Sequence, residues 1–164
     1  IMQYNLSPET LVGVQPKNMG VENYLNEKFN LQWARDKNVT VAPNGSMYRR
    51  DKQGFLPELM EKMYGDRVVF KKKTIEAKKE FQKTKDPIYK NEISRCNNIQ
   101  MAKKIALNSA YGAIGNQYFR YFDVRIAEAI TLGGQLAIRW VENDVNRFMN
   151  KLLNTDNVKY VVAS

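Results

Sequence analysis

The sequence predicts an α+β fold, predominantly helical, in which a long antiparallel helical hairpin is attached to a small antiparallel sheet. Three observations predict it. Helical periodicity runs from Pro57 to about Lys85, from Ile88 or Lys90 to Asn116, and from Val124 to about Leu153. Asp86-Pro87 separates the first two runs by so short a break that the second helix must turn back along the first, because a residue before proline is pushed out of helical geometry. Asn44-Gly45, flanked by alternating residues in VTVAPNGSMYRRDKQGF, is a strong hairpin signal and places a β-hairpin at Val39 to Phe55.

The chain has 164 residues, 43% hydrophobic and 26% charged, enough for one domain with a core and unlike a disordered composition. A single cysteine, Cys96, excludes an internal disulfide; it reads as a small packing residue and fits a reduced, intracellular compartment. No apolar run is long enough to span a bilayer and no charged-then-apolar leader opens the chain, so a soluble protein is expected. Histidine is absent, which removes the usual general base at neutral pH and the commonest metal ligand. The net charge of +9 points to a polyanionic partner. Between Pro57 and Lys104 lie 13 basic and 7 acidic residues, so most of that charge sits mid-chain, where nucleic acid or a nucleoside triphosphate is the economical partner.

In chain order, IMQYNLSPET shows no helix start before its Ser7-Pro8-Glu9 turn signal and reads as the tail of a helix already under way. Leu11 to Asn38, with Gly13, Pro16 and Gly20 and a modest helical pattern in VENYLNEKFNLQW, reads as a surface excursion. In the β-hairpin, Arg49, Arg50 and Lys52 either contact phosphate or form a basic edge that discourages strand pairing. Pro57 suits the first turn of a helix, where its missing N–H costs nothing, and Gly65 is a weak point within that helix. Arg67, Lys71, Thr74 and Lys78 share one of its faces, and each helix of the hairpin should be about 40 Å long.

On the second helix, Gln100, Lys104, Asn108 and Tyr111 fall in one polar stripe, opposite a packing face of Ile99, Ala102, Ala106, Ala110 and Ala113; Gly112 leaves room for a close partner. By spacing alone, such a stripe is usually a solvated helix face. On the third helix, Ile130, Ala137, Val141, Val145, Phe148 and Leu152 form the apolar face of a core helix, and Gly133-Gly134 permits close approach of a sheet or another helix. Asn154 to Asn157 makes a turn, and VKYVVA reads as a mostly buried strand. The acids are scattered: Asp123 reads as an ion-pair partner for Arg120 or Arg125, and Glu142 and Asp144 lie on a polar helix side.

Lys104, Asn108, Ser109, Tyr111 and Gly112 resemble the Lys-x-x-x-Asn-Ser-x-Tyr-Gly motif of family B DNA polymerases. The following GAIGNQYFRYFDVR resembles the segment leading from fingers to palm in the T-even type bacteriophage enzymes, and Asn5 to Thr10 is similar to their Asn-x-Ser-Pro-Glu-Thr. The resemblance implies that 57–116 is the fingers hairpin, 1–56 a palm part with the β-hairpin, and 117–164 a palm helix and strand. It implies that Arg67, Lys71 and Lys104 bind the triphosphate of an incoming deoxynucleotide, that Asn108 supports that site, and that Tyr111 with Gly112 line the nascent base pair and its minor-groove edge. Two-metal phosphoryl transfer would use Mg²⁺ held by aspartate motifs expected just before Ile1 and just after Ser164, so no catalytic or metal-binding residue is expected within the chain. The implied partners are primer-template DNA, deoxynucleoside triphosphates and the remaining polymerase segments, with no membrane, in the cytoplasm of a bacterial host. The rival readings are a non-catalytic basic helical module that grips DNA or RNA by phosphate alone and an inactive fragment with a structural role.

Overall fold

The computed structural model describes residues 1–15, 19–26 and 30–162. Two 3₁₀ turns, Met2–Tyr4 and Pro8–Thr10, precede β1 (Leu11–Val14), α1 (Val21–Leu25), α2 (Gln32–Asp36), β2 (Val39–Val41), β3 (Ser46–Arg49), α3 (Phe55–Thr84), α4 (Pro87–Ile114) and α5 (Val124–Leu153). The predominantly helical α+β class is therefore correct, and its sheet has three antiparallel strands in the order β1-β3-β2. The chain opens on a single 3₁₀ turn closed by Asn5 in the left-handed region. Within the stretch expected as a surface excursion, β1 pairs with β3 across a bulge between Leu11 and Gly13. Four residues are too short a run for alternation to announce them. The proline signal at Pro16, the Glu27–Phe29 part of the helical pattern and the end of VKYVVA lie outside the described residues.

The hairpin between β2 and β3 closes through Pro43, Asn44 and Gly45, with Gly45 N donating to Ala42 O and Ala42 N to Ser46 O, each at 2.8 Å. Gly45 has φ 83°, and a Cβ there would sit 2.5 Å from Gln15 O, so glycine is required on both counts. Asn44 Nδ2 donates to Arg125 O at 2.9 Å and docks this turn on the start of α5. Leu6, Ala42, Tyr48, Leu56, Ile114, Ile126 and Ala129 make the core where sheet and helix ends meet. Burial there pushes the Tyr48 phenol up to about 12.

α3 and α4 run out from this core as the expected antiparallel hairpin. Lys85 turns the chain at φ 59°, and Asp86 Oδ1 caps α4 by accepting from Ile88 N at 2.9 Å, with Pro87 at its first position. The other end of the hairpin is capped from a distance. Asn5 Oδ1 accepts from Gly54 N at 2.8 Å and Glu9 Oε1 from Phe55 N at 2.6 Å, while Asn5 Nδ2 donates to Arg49 O and Lys52 O at 2.7 and 2.8 Å. Ser7 and Thr10 complete this support: Ser7 Oγ donates to Glu9 at 2.6 Å, and Thr10 Oγ1 bonds Asn5 O at 2.6 Å.

Three expectations fail in the C-terminal third. α5 has its expected limits, but only Ile126 and Ala129 are buried; Val141, Phe148 and Leu152 are 52%, 62% and 64% exposed. An apolar helix face becomes core only where another element covers it, and among the described residues α1 and the opening turn reach the middle of this face without burying it. The close approach at Gly133 is made by the Tyr4 ring, 3.2 Å from a Cβ placed there, rather than by a sheet or helix. Likewise 158–162 form no strand and are mostly exposed. Their backbone is held by side chains of α5 instead: Asn146 Oδ1 accepts from Tyr160 N and Val161 N at 2.8 and 2.9 Å, and Asn150 Nδ2 donates to Val158 O at 2.8 Å.

The cap over α3 makes two tests. A Cβ on Gly54 would lie 2.5 Å from Ser7 Cβ and 3.1 Å from Thr10 Cγ2, so Gly54→Ala should cost about 1–3 kcal/mol in urea unfolding. Burial alone would raise the Glu9 carboxyl, but hydrogen bonds from Ser7 and the Phe55 N–H, with Lys52 nearby, hold it below the ordinary glutamate value. A depressed native value means that the contribution is complete above the unfolded value, about 4.3, and is lost as pH falls through the native one. Stability should therefore drop more steeply in acid than that of Glu9→Gln; parallel acid limbs would show that the carboxylate is not the cap.

Candidate functional site

Near the base of the hairpin lies an open cavity of about 360 Å³, lined by Met60, Tyr64 and Arg67 from α3, Lys104, Leu107 and Asn108 from α4, and Ile1 and Met2 from the start of the chain. Met60, Tyr64 and Arg67 are spaced i, i+4 and i+7, so one face of α3 supplies both an apolar wall and a guanidinium. Lys104, Leu107 and Asn108 do the same from α4, three and four residues apart. Of the expected site residues, the fold thus brings Arg67, Lys104 and Asn108 together.

Lys71 is not on that wall. It lies one turn farther along α3, about 6 Å away, and is exposed. The basic face expected there is mixed, because Thr74 is buried and bonds Phe70 O at 2.8 Å, while Lys78 is exposed. On α4 the packing face holds Ile99, Ala106, Ala110 and Ala113 as expected, but Ala102 is exposed, and the buried thiol of Cys96 belongs with the packing residues. Tyr111 and Gly112 also lie off the cavity wall. Tyr111 is 45% exposed, and its hydroxyl sits 2.9 Å from Thr131 Oγ1 on α5. Because the Thr131 hydroxyl donates to Ala127 O at 3.1 Å, Tyr111 is the donor of that pair. A Cβ on Gly112 would meet nothing within 4 Å, so the surface beside Tyr111 is open.

The cavity carries uncompensated positive charge. Among the described residues, Arg67, Lys71, Lys104 and Asn108 have no side-chain hydrogen bond or ion pair, and Arg67 Nε is buried without a partner. Leaving a buried guanidinium N–H unsatisfied is costly, and a site that tolerates this is ready for an anion. The acid next in sequence is already engaged: Asp66 Oδ2 pairs with Lys103 Nζ at 2.7 Å. That hydrogen bond, with the Lys103 charge and Lys62 adding to it, holds the Asp66 carboxyl below its ordinary value. Sequence reasoning missed this pair, and it also missed Met60, Tyr64 and Leu107, whose helical spacing with Arg67 and Lys104 was the available signal.

Carboxylates for a metal ion are not assembled here. Among the described residues no group of three His, Cys, Asp or Glu could hold one. Asp123 pairs with Arg125 at 2.7 Å, as its sequence neighbours suggested, and Asp144 with Arg147 at 3.3 Å. The described residues therefore do not fit a Mg²⁺ site. No described helix is long and apolar enough to cross a membrane.

Residues 1–162 match the family described as DNA polymerase family B. The chain is 28% identical to the DNA-directed DNA polymerases of Enterobacteria phage T4 and Escherichia phage RB69, in each case over 99% of this chain and 22% of the relative, so it spans about a fifth of their length. It is also similar to DNA polymerase 1 of Pyrococcus abyssi, 30% identical over 73% of this chain and 14% of that protein. Among solved structures, that of the family B DNA polymerase from the hyperthermophilic archaeon Pyrobaculum calidifontis superposes with a TM-score of 0.58 at 25% identity, over 92% of this chain and 16% of that one.

The Tyr111 to Thr131 bond joins α4 to α5 and can be tested directly. Tyr111→Phe should lower stability by about 0.5–1.5 kcal/mol, the usual worth of one net hydrogen bond, in chemical denaturation.

Proposed function

Since this chain belongs to DNA polymerase family B, we propose that it is the nucleotide-positioning part of a template-directed DNA polymerase, with α3 and α4 as its fingers. In this reading 57–116 is the fingers hairpin, and 1–56 with 117–164 are palm. The observation that carries it is the pair of unpartnered cations, Arg67 and Lys104, opening with Asn108 on one cavity. A triphosphate fits that charge, since charge-assisted hydrogen bonds to phosphoryl oxygens strengthen where an apolar wall lowers the local dielectric. Lys71, one turn out, would meet the far end of the same anion, and Asn108 would support the nucleotide from α4. Tyr111 and the open space at Gly112 suit a surface that feels the nascent base pair and its minor-groove edge, beyond the cavity itself.

The chemistry of the family is phosphoryl transfer assisted by divalent metal ions. Its Mg²⁺ and the carboxylates that hold it belong, in this proposal, to the remaining polymerase segments, which would also cover the apolar face of α5 around Trp140, Val141 and Phe148. Primer-template DNA completes the partners, attracted by a net charge of +9.

In the polymerase that contains these residues, Lys104→Ala should reduce single-turnover incorporation by about 2–4 kcal/mol in kcat/KM, the cost of losing one electrostatic donor. Lys103→Ala should do much less, because its ammonium is turned to Asp66. Equal losses would sink the assignment. The 164-residue chain alone should extend no primer with Mg²⁺. Tight duplex binding that Lys104→Ala leaves unchanged, with no triphosphate binding, would favour a module that grips nucleic acid by phosphate alone.

A further inference from the structure

We propose that the ion pair between Asp66 and Lys103 sets the register of α3 against α4, and that this register is what opens Arg67 and Lys104 on the same cavity. The pair joins the residues immediately before each of those cations, so it acts at the level of the cavity. Among the described residues it is the one side-chain hydrogen bond between the two long helices. Leu56 of α3 and Ile114 of α4 meet in the core at the base of the hairpin; farther out the buried residues of the two helices are Met60, Thr74, Ala77 and Cys96, and the Thr74 hydroxyl bonds within its own helix. The turn at Lys85–Asp86 and the core at Leu56 and Ile114 fix the two ends of the hairpin, while the small contacts between them, such as Ala77 and Cys96, discriminate alignments less sharply than a directional ion pair does. A shift of one residue is about 1.5 Å along the axis and 100° around it, enough to carry a guanidinium off the wall. The pair is half exposed on the aspartate side, so it contributes little to stability, as surface pairs generally do. Its effect is on which alignment is populated, the role that a single polar contact has between paired helices.

The consequence for ligand binding rests on the nucleotide reading above, but the register itself does not. Nitroxide labels on Lys72→Cys and Asn98→Cys, in a Cys96→Ser background, report the spacing of α3 and α4 by pulsed electron resonance in this chain. Lys103→Met should shift or broaden that distance while circular dichroism stays helical, and the exchange of Asp66→Lys with Lys103→Asp should restore it. Binding of a non-hydrolysable deoxynucleoside triphosphate should weaken by about 3- to 10-fold in Lys103→Met and in Asp66→Asn, and no further in the double variant. An unchanged distance in Lys103→Met overturns the proposal. A changed distance with unchanged triphosphate binding, where Arg67→Ala does weaken it, overturns the link from register to site. If Arg67→Ala and Lys104→Ala also leave binding unchanged, the nucleotide reading fails while the distance still decides the register.

Discussion

The hairpin depends on how the N-terminus of α3 is held. A helix leaves its first N–H groups without internal partners, and here Asn5 and Glu9, more than 40 residues earlier in the chain, take the first two. The Glu9 carboxylate also meets the positive end of the helix dipole. Asn5 does more than cap, because its amide nitrogen ties Arg49 O and Lys52 O to the same point. The end of β3, the start of α3 and the opening turn of the chain are thereby one joint. With Leu6 and Leu56 buried beside it, this joint sets the direction in which a 30-residue helix leaves the core.

From that joint outward, the electrostatics follow from which acids are already taken. Asp66, Asp123 and Asp144 are paired with Lys103, Arg125 and Arg147, and Glu22 on α1 with Arg139 on α5. Arg67 and Lys104 are left as free cations on a partly apolar cavity, and a net positive chain acquires a local place for an anion. What distinguishes this cavity from the rest of a basic surface is that two cations share one partly apolar wall and that Arg67 Nε is buried there without a partner.

α5 shows the opposite situation, a face prepared for contacts that the described residues do not supply. Its first turns are in the core, and the Asn44 turn and Tyr111 both fasten to it there. Farther along, apolar side chains are exposed and its asparagines occupy themselves with the backbone of 158–161.

What the residues determined by themselves is local. Asp86-Pro87 ended one helix and capped the next, Asn44-Gly45 turned the β-hairpin, and the limits of α5 followed from its periodicity, because each depends on backbone preferences within a few positions. The spacing of Lys104, Asn108, Tyr111 and Gly112 was legible in the same way, and it carried the family. Contacts between distant residues were not legible. The resemblance had grouped Arg67 and Lys71 with Lys104, but only the tertiary structure put Arg67 and Lys104 on one cavity and left Lys71 outside, turned Lys103 to Asp66, and made Asn5 and Glu9 the cap of α3. It also left the terminal strand unformed, since a strand exists only with a partner to receive its hydrogen bonds, and here side-chain amides took them.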